Sequence, residues 1–306
     1  MSLLRTLGTP FAPTWLLLDR GRGFFVASRC SMSVANRMSK KTVDTHILSA
    51  RAWRKNLKVE WLLAPLVLLF AILLWDALVR WQDYPAFILP APAVVARKFL
   101  TVARNGALWY HTQLTLLEIF TGMMLGLGSA LVLGYLLAKS RKLERLLSPY
   151  LVASQAIPII ALAPLLVIWI QSPGLSKVLI VALTIFFAAL INTIVGIRSV
   201  EPDLVALMHS LQASRWQILL KLEIPAAMPV LLGGLKIGVT LAVIGAVVAE
   251  FVGADRGLGY LINLSRGILD TPLLFVALIT LVVIAILLYT AVSLLEHKVL
   301  AWRRIH

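Results

Sequence analysis

The residues best placed to do chemistry or transmit force lie in two settings. The first is a polar stretch at 201–229, EPDLVALMHSLQASRWQILLKLEIPAAMP, set between two long apolar runs. It reads as two short helices joined by a turn. Leu204, Leu207, Met208 and Leu211 recur at helical spacing, and Trp216, Leu219, Leu220 and Ile224 do so again after Ala213 and Ser214. Ser214 is placed to cap the second helix, because its hydroxyl oxygen can accept from free amides of the first turn. Pro225 and Pro229 are expected to break or tilt the chain beyond it. With His209, Arg215 and Lys221 exposed, this pattern suits a docking knob for a partner in the aqueous phase. It equally suits amphipathic helices resting on lipid headgroups. The second setting is a set of isolated polar groups within the apolar runs: Glu118, Gln155, Asn192 and Glu250. A carboxylate in hydrocarbon is costly, so Glu118 must face protein or water, or sit near an interface. Gln155, Asn192 and Glu250 are candidates for lining a pathway.

Other chemistries are absent. ATP hydrolysis needs a phosphate cradle of the form Gly-x4-Gly-Lys-Ser/Thr, and no such stretch occurs. There is no His-Glu-x-x-His and no Gly-x-Ser-x-Gly. His46, His111, His209, His297 and His306 are scattered, and Cys30 is the single cysteine, so neither a metal cluster nor an intrachain disulfide is expected. Ser154 and Ser293 have no evident base. The chain is read as a non-enzyme with no catalytic residues, no metal and no cofactor.

The elements that must position these residues are membrane helices. The 306 residues are 60% apolar and only 14% charged, which fits a polytopic membrane protein. The net charge of +15 is no sign of a nucleic-acid partner, because basic residues collect in cytoplasmic loops and no basic groove with interleaved aromatics is visible. We therefore expect an all-α membrane protein with about six transmembrane helices, near 61–79, 114–138, 150–170, 178–197, 230–252 and 273–295. The third is interrupted by Pro158 and Pro164. Gly122, Gly126, Ala130 and Gly134 make one smooth stripe, and Gly234, Gly238, Ala242 and Ala246 make another. Such stripes let helices approach closely. The second stripe marks its helix as the candidate for contacting a second copy of the chain or lining a pore. Asp76, Trp75, Trp81 and Tyr84 suit the far interface of the first span.

Residues 1–50 are basic and lack a long apolar run; they read as a disordered tail, a targeting peptide, or an over-long start with the true initiator at Met32 or Met38. Residues 51–113 carry the first span and an outside segment. There Pro90 and Pro92 hold an extended run before a short amphipathic helix at 94–102. Residues 114–296 form the core and 297–306 a basic tail. The basic clusters RAWRKNLK, KSRKLER and HKVLAWRRIH share one side with the 201–229 stretch. That places both termini in the cytoplasm.

The 201–229 stretch resembles the coupling loop of ABC importer permeases of the binding-protein-dependent type. Their pattern runs Glu-Ala-Ala, three residues, Gly, about nine residues, then Ile/Val-x-Leu-Pro. Here Ala206, Leu207 and Met208 stand in place of Glu-Ala-Ala, Gln212 in place of Gly, and Leu222-Glu223-Ile224-Pro225 matches the end. Ala213-Ser214-Arg215-Trp216-Gln217, GLKIG, VVAEF and GADRGLGYLI resemble the sulfonate, nitrate and taurine permeases. They are nearer still to the subgroup moving the thiamine pyrimidine precursor or riboflavin. The likeness spans roughly 114–295. It implies the type I importer permease fold in the plasma (inner) membrane. It also implies a second permease copy, cytoplasmic ATPase subunits and an extracytoplasmic solute-binding protein. Coupling would fall to Ala206, Leu207, Met208, Gln212, Ala213, Arg215 and Pro225. Gln212 departs from the glycine that would enter a left-handed turn freely, at a cost of about 1 kcal/mol. An ion-coupled secondary carrier is the alternative; it predicts acidic groups deep in broken helices and an inverted repeat. Glu118 is the one feature that fits it. A purely structural membrane subunit is the third reading.

Overall fold

The computed structural model describes Leu63 and residues 65–301. The expected tail at 1–50, the collar at 51–58 and residues 302–306 of the basic C-terminal tail lie outside the described residues. The described part of 1–69 is the opening of helix α1 (Pro65–Gln82), whose leucines there face outward. The rest of the description concerns 70–306.

Among the described residues all regular structure is helical. After α1 come α2 (Pro92–Arg104), α3 (Ala107–Lys139), α4 (Arg141–Gln155), α5 (Ile159–Ile170) and α6 (Pro173–Arg198). Then follow α7 (Pro202–Ser210), α8 (Arg215–Ile218), a π-helical turn (Leu219–Glu223), α9 (Ile224–Gly253), α10 (Leu258–Gly267) and α11 (Thr271–Val299). Five helical segments are long and apolar enough to cross a membrane: α1, α3, α6, the run Arg215–Gly253, and α11. The pair α4 and α5 makes a sixth if counted as one broken span, bent by 95°. Pro158 makes that break: it caps α5 in an extended conformation, and a proline disfavours helix in the residue before it. Pro164, expected to interrupt the same span, lies inside α5 without breaking it.

Helix α6 is the axis of the bundle. Its buried residues run from Ser176 to Ile197, on more than one face. The stripe of α3 lies against it. A Cβ at Gly122 would come 2.5 Å from Val181 Cβ, one at Gly126 2.5 Å from the Ala182 carbonyl oxygen, and one at Gly134 2.7 Å from Thr193 Cβ. The stripe of α9 lies against α6 as well. A Cβ at Gly234 would sit 2.9 Å from Asn192 Cβ, and one at Gly238 3.3 Å from Ile185 Cγ2. In hydrocarbon, close van der Waals packing replaces the hydrophobic effect as the force between helices, and only glycine allows this approach. The glycines of the α9 stripe therefore face α6 of the same chain. Two stripes clamp one helix, so both are consumed inside the protein. What α9 leaves uncovered is another face, with Ile237, Thr240 and Ile244 exposed.

Candidate coupling site

The 201–229 stretch folds as a helix-turn-helix, α7 and α8, that runs on into the start of α9, and α7 with α8 is called the hairpin below. Helix α7 starts at Pro202, where a missing N–H costs nothing in the first turn, and ends in a Schellman motif. The Ala213 N–H donates to the Met208 carbonyl at 3.0 Å and the Gln212 N–H to the His209 carbonyl at 2.9 Å. The motif needs one left-handed residue, and Gln212 supplies it at φ 57°. The departure from glycine thus sits at the turn itself. Helix α8 then opens with a capping box. Ser214 Oγ accepts from the Gln217 N–H at 3.3 Å, and Gln217 Oε1 accepts from the Ser214 N–H at 2.8 Å.

Beyond α8 the chain does not break at Pro225 and Pro229, contrary to expectation. Arg215–Gly253 is one continuous helical run of 39 residues. Pro225 lacks the N–H that an α-helix would direct at Lys221, and its ring would crowd that carbonyl. The turn just before it, Leu219–Glu223, widens to π geometry and absorbs the misfit. Pro229 lies inside α9. Helix α8, the π turn and α9 are therefore one unbroken helical run.

The hairpin's outer surface is apolar with basic punctuation. Leu204, Leu207, Leu211, Trp216 and Leu220 are exposed, Trp216 at 71%, and so are Ala206, His209, Gln212 and Arg215. Met208 and Ala213 are half-buried. A cavity of about 560 Å3 opens at its base, lined by Tyr135, Lys139, His209, Arg215, Trp216 and Glu223 among others. Glu223 is buried and forms an ion pair with Lys139 of α3. Arg198, at the end of α6, pairs with Glu144 and donates to the Ala138 and Leu137 carbonyls at 3.3 and 3.4 Å. These two bases tie the roots of the hairpin to the ends of α3 and α6. Sequence reasoning missed both; the only available signal was an acid–base pair of clusters at the same membrane edge.

Among the polar groups inside the spans, Glu250 and Glu118 are electrostatic neighbours, while Gln155 and Asn192 lie elsewhere. Glu250 is 1% exposed and is held entirely from within the chain. Thr115 of α3 donates to its Oε1 at 2.6 Å, and the Gly259 and Tyr260 N–H groups of α10 donate to its Oε2. The Leu258 N–H donates to the Thr115 hydroxyl at 2.9 Å, and the Gly257 N–H to His111 Nδ1 at 2.9 Å. Gly257, at φ 117°, has no room for a side chain: a Cβ would lie 2.2 Å from Glu250 Cδ. Glu118 pairs with Lys177 of α6 at 2.8 Å, with side-chain exposures of 13% and 7%. Lys177, one position before the span expected at 178–197, is thus a buried partner for the carboxylate in the span. In the loop before α10, the Arg256 guanidinium grips Asp255 through two 3.0 Å bonds and holds that carboxyl below its usual range. Gln155 is exposed beside the α4–α5 break, its Nε2 donating to the Leu151 carbonyl. Asn192 is half-buried at the crossing of α6 and α9, its amide donating to the Ala188 carbonyl at 2.9 Å. Of the residues expected to couple, Ala206, Leu207, Met208, Gln212, Ala213 and Arg215 lie on the α7–α8 segment and Pro225 at the start of α9, whereas Gln155, Asn192 and Glu250 lie on three different helices. Among the described residues no group of His, Cys, Asp and Glu is placed to hold a metal ion.

The fold defines an all-α, multi-span membrane protein with an exposed helix-turn-helix between two of its spans. Residues 130–301, more than half of the chain, match the family of binding-protein-dependent transport system inner membrane components, and the chain belongs to that family. It is 48% identical over 247 residues to the riboflavin transport system permease protein RibX of Chloroflexus aurantiacus. That match covers 80% of this chain and 92% of the relative. It is 34% identical to the formylaminopyrimidine transport permease protein ThiX of Halalkalibacterium halodurans, covering 78% and 95%. With the taurine transport system permease protein TauC of Escherichia coli the identity is 28%, covering 84% and 97%. A chain of the inward-facing MetNI methionine ABC transporter superposes with a TM-score of 0.52 at 20% identity, covering 69% of this chain and 98% of that one. The protein is a permease subunit of an ABC importer for a small nutrient, with the type I importer fold. It is an inner-membrane, multi-pass component with no hydrolytic role of its own.

Proposed function

We propose that this permease works as a pair of copies, with cytoplasmic ATPase subunits docked on the hairpin and a solute-binding protein docked on the opposite face. Both termini are cytoplasmic in this reading. The observation that carries it is the unbroken helical run from Arg215 to Gly253. Closure of the ATPases pushes on Leu207, Gln212, Ala213 and Arg215. The push passes along this run through the span to its outer end, where Glu250 grips the turn into α10. The loaded binding protein acts on that outer end, so one two-state element is biased from both sides. Gln155, exposed at the α4–α5 break, is a contact for solute. Asn192 and Glu250 serve the pathway by fixing the α6–α9 crossing and the outer end of α9. The relatives support a small nutrient of the riboflavin or thiamine-pyrimidine type, with sulfonate, taurine or nitrate as the wider class.

The test is co-purification from the native membrane in mild detergent. A stoichiometric ATPase bearing a phosphate-binding loop is expected, and its absence overturns the docking reading. The solute trapped in a co-isolated binding protein names the substrate. In the assembled complex, Arg215→Glu is expected to abolish uptake with membrane insertion intact; normal uptake refutes the assigned role of Arg215.

A further inference from the structure

A second cavity, of about 630 Å3, lies beside the hairpin's root. It opens between the ends of α3 and α6, the first turn of α4 and the start of α7. Its charged lining is Arg141, Glu144, Arg145 and Arg198. Two of these cancel, because Arg198 is paired with Glu144 and spends its remaining donors on α3 carbonyls. Arg141 and Arg145 are left. Both are exposed, both have no acidic partner among the described residues, and they sit one turn apart on the same face of α4. The cavity thus presents two free guanidiniums, each able to grip a phosphate by two parallel hydrogen bonds.

The depth of this cluster in the bilayer follows from the rest of α4. Within two turns of Arg145 the same helix presents Leu146, Tyr150 and Val152, each about two-thirds exposed, and none of its residues is buried in the protein. Together with α5 it has the length and hydropathy of a span. An uncovered apolar surface starting directly after a basic turn places that turn at the level where hydrocarbon meets water. That is the phosphate level of the leaflet. Basic pockets between transmembrane helices on the cytoplasmic side are suited to anionic headgroups.

We propose that Arg141 and Arg145, with the cavity behind them, form a binding site for the phosphate of an anionic phospholipid in the cytoplasmic leaflet. The site touches Pro202 and Val205 of α7, so its occupant buttresses the root of the coupling hairpin. The assignment to the cytoplasmic leaflet rests on the orientation proposed above.

The experiment uses the assembled transporter in nanodiscs of phosphatidylcholine, titrated with phosphatidylglycerol and read by native mass spectrometry of retained lipid. Each basic residue near an anionic leaflet contributes roughly fivefold in affinity. The double variant Arg141→Gln/Arg145→Gln is therefore expected to bind phosphatidylglycerol about 30-fold more weakly, with phosphatidylcholine retention unchanged. Arg141→Lys/Arg145→Lys, which keeps the charge, is expected to retain most of it. Equal retention by wild type and the Gln double variant overturns the proposal. So does displacement of the lipid by millimolar inorganic phosphate, which would make this a site for the free anion. Loss of the ATPase subunit from the double variant in lipid-free micelles also overturns it, because the arginines would then serve a protein partner. Orientation is checked separately with Lys142→Cys in a Cys30→Ser background. Labelling by an impermeant maleimide only in inverted vesicles supports the cytoplasmic leaflet. Labelling in intact cells overturns the orientation and the leaflet assignment, while the retention comparison still reports on the phosphate site.

Discussion

Replacing Lys177 by Met is the sharpest test of how α3 and α6 hold together at the end of the bundle where α6 begins. Lys177 and Glu118 meet at 2.8 Å with only 7% and 13% of their side chains exposed, and the second oxygen of Glu118 is buried with no partner. In the single variant the carboxylate keeps its burial and loses its only cation. Removing one member of a buried pair costs about 3–5 kcal/mol, because the remaining charge is left uncompensated. Glu118→Gln strands the ammonium in the same way and carries a similar cost. The double variant Glu118→Gln/Lys177→Met strands nothing. Its cost is expected to be well below the sum of the two singles, within about 1–2 kcal/mol of wild type. The assay is equilibrium unfolding of the detergent-purified chain followed by tryptophan fluorescence, run as a double-mutant cycle. Thr115, which links α3 to Glu250 and to the start of α10, lies one helical turn from Glu118. The single variants should therefore also speed proteolysis in the 254–257 loop, and the double variant should restore protection. A Lys177→Met protein as stable as wild type, or a double variant that loses the full sum, refutes the reasoning.

Three further outcomes follow from the close contacts. Gly126→Ala places a Cβ 2.5 Å from the Ala182 carbonyl oxygen and 2.9 Å from its Cα, which are backbone atoms that cannot swing aside. A loss of about 1–3 kcal/mol is expected in the same unfolding assay, whereas Gly128→Ala, with open space around it, should be neutral. Gly257→Ala combines a positive φ with a Cβ 2.2 Å from Glu250 Cδ. It should cost about 2–4 kcal/mol and expose the α9–α10 turn to protease while leaving ATPase attachment unchanged. Gln212→Gly removes the left-handed strain at φ 57°. It should steady the hairpin by about 1 kcal/mol, seen as slower amide exchange at Gln212 and Ala213, with uptake retained.

Much of this protein is legible along the chain because a bilayer imposes local rules. Spans announce themselves by length and apolarity, Ser214 and Gln217 announce a capped helix by spacing, and the motif around Leu222-Glu223-Ile224-Pro225 carries the family. The family resemblance pointed to Gln212 as the place of the glycine turn, but that the left-handed residue sits there and not elsewhere is read only from the structure. Pro158 marked a break correctly, but the prolines at 225 and 229 did not break anything. A proline reports only that one donor is missing, and whether the chain kinks or widens into a π turn depends on what its neighbours can absorb.

What only the tertiary structure decided is which groups meet. The stripe on α9 said that a backbone would approach closely, but not that the backbone belonged to α6 of the same chain. Glu118 read as an isolated charge, Lys139 as one of a basic cluster and Glu223 as part of a motif, and none of these readings named the partner in Lys177–Glu118 or Lys139–Glu223. Their partners lie 59 and 84 positions away along the chain. Periodicity within one helix fixes the face a residue occupies. Pairing between helices depends on the rotation and depth of both, and those are set by the glycine contacts that lock α3 and α9 onto α6.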